Sequence, residues 1–68
     1  MNKISLIIPC FNEKNAIEKT IDEIIFFLGK VLHELIIVDD GSFDGTYEIL
    51  KNRKDITLVR NPYNKGYG

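Results

Sequence analysis

Three short apolar runs constrain this chain more than any other feature of its sequence. The runs cover residues 4–8, 35–38 and 56–59, and each is a nearly continuous series of isoleucine, leucine and valine. Runs of this kind, without strict alternation of polar residues, are typical of strands that are buried on both faces, as in parallel sheets. The sequence therefore predicts three strands, the first of them ended by Pro9.

Segments with helical periodicity separate the runs. The first has an apolar stripe, which is typical of an amphipathic helix and consists of Ile17, Ile21, Ile24, Ile25 and Leu28. Asn15 and Glu18 have the spacing of a capping box before it, and Gly29 stands where a left-handed C-cap belongs. A weaker pattern over 47–52 predicts a second helix with Asp44 at its N-cap.

Alternation of strands and helices predicts an α/β fold with right-handed crossovers. The expected unit is a Rossmann-like βαβαβ half-domain whose parallel sheet has the strand order 3-2-1. Residues 1–68 then form a single unit, and its ending at Gly68 is interpreted as a truncation. Since the first strand lies at an edge and is apolar, we expect self-association through it.

Composition excludes several classes of protein. Nine Lys and Arg against ten Asp and Glu give a net charge of −1, which argues against a nucleic-acid partner. One cysteine and one histidine cannot form an internal disulfide or a closed zinc site. No apolar stretch approaches the roughly 20 residues of a membrane span, and no signal peptide is evident. A cytoplasmic location is therefore expected.

Candidate functional residues follow the first two strands, at the edge where ligands of open α/β sheets bind. Phe11 is suited to stacking on a base, although it could simply cover the core. Glu13 could bond a sugar or only favour the start of the helix. The adjacent carboxylates of Asp39 and Asp40 repel each other unless a base edge with N–H donors, a ribose hydroxyl pair or a metal ion compensates. The alternative is that one is a turn residue and the other a solvated acid. Lys65 lies near two glycines and could bind a phosphate, although this pattern is only weakly specific.

Three blocks of sequence resemble the N-terminal portion of the family 2 glycosyltransferases, inverting enzymes with the GT-A fold. The blocks are 5–13 (SLIIPCFNE), 35–46 (LIIVDDGSFDGT) and 61–68 (NPYNKGYG). They cover nearly the whole chain and are most similar to the branch that includes dolichol-phosphate mannosyltransferase. The resemblance implies the N-terminal part of a GT-A domain that binds a UDP- or GDP-sugar and passes the sugar to an acceptor, with a polyprenyl phosphate as one candidate.

The resemblance also assigns roles to individual residues. Pro9, Phe11 and Glu13 match the loop around the nucleotide base and ribose. Most members have tyrosine where this chain has Phe11, so stacking is retained here and a phenolic hydrogen bond is lost. Residues 38–40, namely Val38, Asp39 and Asp40, match the strand end that holds the base and ribose. Lys65 matches a block near the nucleotide.

The metal and the catalytic base of the family have no counterpart in this chain. The D-x-D pattern that binds Mg²⁺ or Mn²⁺ in the family would lie beyond Gly68, and the adjacent Asp39 and Asp40 have a different spacing. No catalytic residue and no metal ligand are therefore assigned to this chain, which is expected to be inactive by itself. The resemblance further implies a parent enzyme that could associate with the cytoplasmic face of a membrane.

Two other readings compete with this one. Paired acids at a strand end could belong to a receiver-like phosphoacceptor domain, but such a site needs acids and a lysine on three strand ends. Here the pair follows the second strand, and the third ends in Arg60 and Asn61. The other reading is a purely structural α/β fragment that self-associates.

Overall fold

Strands and helices alternate along the chain, as the apolar pattern predicts. The structure is a computed structural model that describes residues 2–62. Its elements are β1 (Ile4–Cys10), α1 (Ile17–Leu28), β2 (Leu32–Asp40), α2 (Thr46–Leu50) and β3 (Thr57–Asn61), with a 3₁₀ turn at Gly29–Val31. All strand pairs are parallel and β2 is central, in the order β1-β2-β3. The predicted Rossmann-like βαβαβ unit and its strand order are thus confirmed.

Both helices pack on the same face of the sheet. The core joins side chains of both helices to the central strands, and its buried members are Cys10, Ile17, Ile21, Leu35, Ile37 and Leu50. This follows from topology, because two right-handed crossovers that step in the same direction place their helices on the same side. The opposite face is open among the described residues, and Ile7 and Val59 are 63% and 47% exposed on it.

All three strands extend further than their apolar runs, and β3 does so by two residues. β1 continues through Pro9 to Cys10, so the prediction that Pro9 ends the strand is wrong. Pro9 is paired in register with Val38, and an edge strand tolerates a residue without an N–H donor. β2 likewise continues through Asp39 to Asp40. The two acids are therefore strand residues rather than turn residues.

Helix α1 ends at the predicted residue but begins differently. Gly29 is the C-cap and its N–H donates to the Ile25 carbonyl, with a φ of +49° that favours glycine. Its ψ of −124° lies outside the left-handed helical region, so the predicted left-handed conformation is wrong. At the start no side chain caps the helix, and the predicted capping box is wrong. Instead the Glu13 carbonyl accepts the N–H groups of Ala16 and Ile17, at 3.0 and 2.8 Å. A backbone turn thus supplies the acceptor that a side chain was expected to supply.

Candidate nucleotide site at the carboxyl edge of the sheet

The strand register brings the predicted site residues to one edge. Cys10 on β1 lies opposite Asp39 on β2, and Asp40 lies opposite Asn61 on β3. Phe11 and Asp40 each follow the Cys10–Asp39 pair by one residue, on strands that run about 4.8 Å apart. Both therefore leave the sheet at the same edge, from neighbouring strands.

Asn12 joins the loop after β1 to the loop after β2. Its N–H donates to Ser42 Oγ at 2.9 Å, and its Oδ1 accepts the Phe43 N–H at 2.9 Å. Asn12 also has a φ of +52°, a conformation that asparagine tolerates better than most residues. The two bonds run in opposite directions between the loops, so they fix both the spacing and the orientation of the loops.

A second link between the two segments lies further along the chain. The Glu13 N–H donates to Thr46 Oγ1 at 2.9 Å, and Lys14 N–H donates to Asp44 Oδ2 at 3.2 Å. Asp44 Oδ1 in turn accepts the Thr46 hydroxyl and, at 3.0 Å, the Thr46 N–H. The Thr46 hydroxyl is the main cause that lowers the pKa of the Asp44 carboxyl below 3.8. The N-cap of α2 is Gly45, so the prediction of Asp44 as the N-cap is wrong by one residue. Asp44 instead accepts the N–H of the first helical residue and also holds the neighbouring loop.

Asp39 has no exposed surface. Its Oδ2 has no hydrogen-bond partner within residues 2–62, and Arg60 Nε lies 3.9 Å from it. The Arg60 guanidinium in turn lies 4.0 Å from the centre of the Tyr47 ring. The Asp39 carboxylate is closed to a ligand in this conformation. Asp39 therefore stays a predicted site residue, and in this conformation it can act only through its neighbours.

Cys10 is buried beside Asp39. Its Sγ lies 3.9 Å from Asp39 Oδ1. Burial, followed by the negative charge of Asp39, raises the pKa of the Cys10 thiol to about 12. The thiol is therefore protonated at neutral pH, and a nucleophilic role for it is disfavoured.

Asp40 is the more accessible carboxylate of the pair. It alternates with Asp39 along the strand, so its side chain lies on the other face of the sheet, and it is partly exposed. Its Oδ1 accepts a hydrogen bond from Asn61 Nδ2 at 2.8 Å. A bond between the ends of β2 and β3 orients this carboxylate.

Phe11 is 40% exposed and contacts Phe43, which is 81% exposed. The ring centroids are 5.8 Å apart and the ring planes meet at 72°. A separate cleft of about 230 Å³ lies between β1 and the start of α1, lined by Ile8, Pro9, Cys10, Glu13, Ile17 and Thr20. Neither aromatic ring lines this cleft.

A metal ion has no prepared site in the described part of the chain. Nowhere in residues 2–62 do three His, Cys, Asp or Glu side chains come close enough to hold one. The residues present therefore do not fit the divalent cation that the resemblance implies. No step of a reaction is assigned to a metal in this chain.

Six of the seven predicted site residues lie near the carboxyl edge of the sheet, namely Pro9, Phe11, Glu13, Val38, Asp39 and Asp40. They do not share one face. Pro9, Val38 and Asp40 lie on the open face, whereas Asp39 lies on the face that the helices cover. Lys65 lies outside the described residues.

Sequence reasoning missed four residues that build the two loops: Asn12, Ser42, Phe43 and Thr46. Their hydrogen bonds join positions about thirty residues apart, and nothing in the local sequence indicates such a pairing. A weak signal existed for Phe43, an aromatic residue between turn residues. Such a position offers no core to cover, so an exposed ring could have been expected there.

Comparison with known proteins decides the family. Residues 5–68 match the family described as Glycosyl transferase family 2. The chain belongs to glycosyl transferase family 2. The matched range includes both loops of the candidate site, so the site is built from residues that carry the family pattern.

Similar curated proteins are glycosyltransferases by name. One is a dolichyl-phosphate beta-glucosyltransferase of Trichomonas vaginalis, 33% identical over 96% of this chain and 24% of its own length. Another is a UDP-Glc:alpha-D-GlcNAc-diphosphoundecaprenol beta-1,3-glucosyltransferase of Escherichia coli, 37% identical over 97% of this chain and 27% of its own. A dolichol-phosphate mannosyltransferase of Pyrococcus furiosus is 33% identical over 94% of this chain and 19% of its own.

The chain spans a quarter or so of the length of these relatives. No solved structure matches it. Within the described part of the chain, neither helix has the length and apolar character to span a lipid bilayer.

Proposed function

We propose that this chain recognises the nucleoside diphosphate part of a nucleotide sugar, as a portion of a glycosyltransferase. The observation that carries the proposal is the pair of cross-bonded loops at the carboxyl edge, with Phe11 and Asp40 leaving the sheet on neighbouring strands. An aromatic ring and a carboxylate acceptor are what a flat base with N–H donors requires. Membership of the family supports the same conclusion.

The reaction proposed for the complete enzyme is a single displacement. An acceptor oxygen forms a bond to the anomeric carbon of the sugar, the bond to the nucleoside diphosphate breaks, and the configuration inverts. Relatives named for dolichyl phosphate or a diphosphoundecaprenol support a polyprenyl phosphate as the class of acceptor. The diphosphate leaving group calls for a divalent cation, which we propose is held by residues that this chain does not contain. This chain then binds the nucleotide and transfers nothing.

Asp40→Asn is expected to weaken the binding of UDP or GDP by about 10- to 100-fold, because a charged acceptor is lost while the shape of the side chain is kept. The measurement is isothermal titration calorimetry of the chain with UDP and with GDP. The two nucleotides are compared because the structure does not favour one base.

Asp22→Asn is the matched control. It removes the same charge from an exposed position on α1, and its carboxylate pairs with Arg53 rather than with the candidate site. Equal heats for the wild type and Asp40→Asn would remove the assignment of Asp40. If the wild type bound neither UDP nor GDP, the proposed function itself would fail.

We also propose that the chain is cytoplasmic and that it self-associates through β1. β1 is an edge strand, and Ile7 on it is 63% exposed on the open face of the sheet. Unprotected apolar edges favour pairing with another strand. Sedimentation velocity over a concentration series is expected to show dimers or larger species, and Ile7→Lys is expected to reduce them. A monomer at every concentration would contradict this proposal and leave nucleotide recognition untouched.

A further inference from the structure

Phe43 combines a rigid backbone with an exposed side chain. Its N–H is bonded to Asn12 Oδ1 at 2.9 Å, while its side chain is 81% exposed. A large apolar ring gains nothing for folding from such a position, because it buries little surface. The backbone bond nevertheless holds the Cα–Cβ direction, so the ring is presented from a fixed point.

The Phe43 ring stands beside a residue of the proposed nucleotide site. It meets Phe11 at 72° with the centroids 5.8 Å apart, so the two rings form a corner rather than a stack. Phe43 follows Asp40 by three residues, which limits the separation of their Cα atoms to about 11 Å. A flat ring stacked on one wall of this corner would meet the other wall edge to face, the arrangement that aromatic groups prefer.

A second pair of aromatic rings shows that geometry alone does not make a site. Phe26 and Phe27 on α1 also meet edge to face, at 5.7 Å and 79°, and are 81% and 78% exposed. They lie near the end of α1, away from the carboxyl edge of the sheet and from both cross-bonded loops. Phe43 differs from this pair in two ways: its ring contacts Phe11, and its backbone N–H is bonded to Asn12, in the loop that carries Phe11.

We infer that Phe43 is a further ligand-binding residue, and that with Phe11 it forms an aromatic corner that holds the base of the nucleotide. This inference rests on the proposed function and deepens it, because it adds a second aromatic wall to the base site. The base lies against one ring and contacts the other with its edge. The corner selects for an aromatic ligand group and leaves the diphosphate directed away from the two rings.

The test compares two phenylalanines of equal exposure. Phe43→Ser is expected to weaken UDP or GDP binding about fivefold, the loss expected for one aromatic contact. Phe26→Ser, which changes an equally exposed ring outside the site, is expected to bind as the wild type does. Phe43→Tyr keeps the ring and should bind like the wild type, whereas Phe43→Leu keeps only an apolar side chain and should behave like Phe43→Ser.

A spectroscopic measurement separates contact from an indirect effect. With ring-labelled phenylalanine, nuclear Overhauser effects from the base protons of UDP or GDP to the Phe43 ring are expected in the complex. If nucleotide binding depends on Asp40, but Phe43→Ser binds equally well and the wild-type complex shows no such effect, the corner is refuted and the proposed function stands. Shifts of Phe43 on adding polyprenyl phosphate, without shifts on adding nucleotide, would also refute it and would assign the ring to the acceptor.

Discussion

Ile37→Ala is expected to remove a large share of the free energy of unfolding of the chain at 25 °C. Ile37 is completely buried in the central strand, between the two neighbouring strands and beneath both helices. Truncating a buried isoleucine to alanine costs about 2–5 kcal/mol. A chain of this size has a free energy of unfolding on the order of 3–10 kcal/mol. The loss is thus comparable to the whole stability.

Circular dichroism during urea unfolding measures the change in the free energy of unfolding. The reactivity of the Cys10 thiol is a second, independent measurement. Cys10 is buried and its pKa is raised to about 12, so the folded chain should resist iodoacetamide at neutral pH while Ile37→Ala reacts. The matched control is Ile7→Ala, whose side chain is 63% exposed on the open face, measured at low micromolar concentration to exclude association. It should change the free energy of unfolding by only about 0.5 kcal/mol. Similar losses in both variants would contradict the assigned core.

The fold could be predicted from the sequence because each strand carries its own local signal. Three apolar runs and one strong helical stripe determine the βαβαβ order, and a Rossmann-like half-domain of this order has the strand order 3-2-1. The strand ends were missed because the apolar pattern stops where polar side chains begin, whereas the backbone ladder continues through Pro9, Asp39 and Asp40. The pattern of apolar side chains indicates which residues are buried, whereas the hydrogen bonds between strands depend only on backbone groups. The two therefore need not end at the same residue.

The site could be predicted only in part, for a related reason. Motifs identified which residues follow each strand, but not how two loops bond to each other. The Asn12–Ser42 and Glu13–Thr46 bonds depend on the tertiary contact of β1 and β2, which single-sequence periodicity does not describe. Burial likewise separated two adjacent acids that look equivalent in sequence: Asp39 is enclosed and Asp40 is partly exposed.

Thr46→Val is expected to lower the free energy of unfolding by about 1–3 kcal/mol, although it changes the side-chain volume very little. Thr46 is fully buried, and its hydroxyl accepts the Glu13 N–H while donating to Asp44. Valine leaves the Glu13 N–H without its acceptor and removes one of the bonds that join the two loops, while the Asn12 bonds remain. Nucleotide affinity should fall with stability, because the loops that carry Phe11 and Phe43 are then held less firmly. Urea unfolding and calorimetry with UDP and GDP measure the two effects.

The effect of Thr46→Val should also depend on pH. The Thr46 hydroxyl is the main cause of the lowered pKa of Asp44, so this bond stabilises the fold above the ordinary pKa of 3.8 and is lost as the pH falls through the lowered value. The difference in free energy of unfolding between the wild type and Thr46→Val should therefore become smaller at acid pH. Thr57→Val is the control, because its hydroxyl bonds Glu34 on the exposed surface, and a change within about 0.5 kcal/mol is expected. If the difference in free energy of unfolding between wild type and Thr46→Val stayed constant down to acid pH, Asp44 would not be held by this hydroxyl. If Thr57→Val lost as much free energy of unfolding as Thr46→Val, burial of the hydroxyl would not determine the size of the loss.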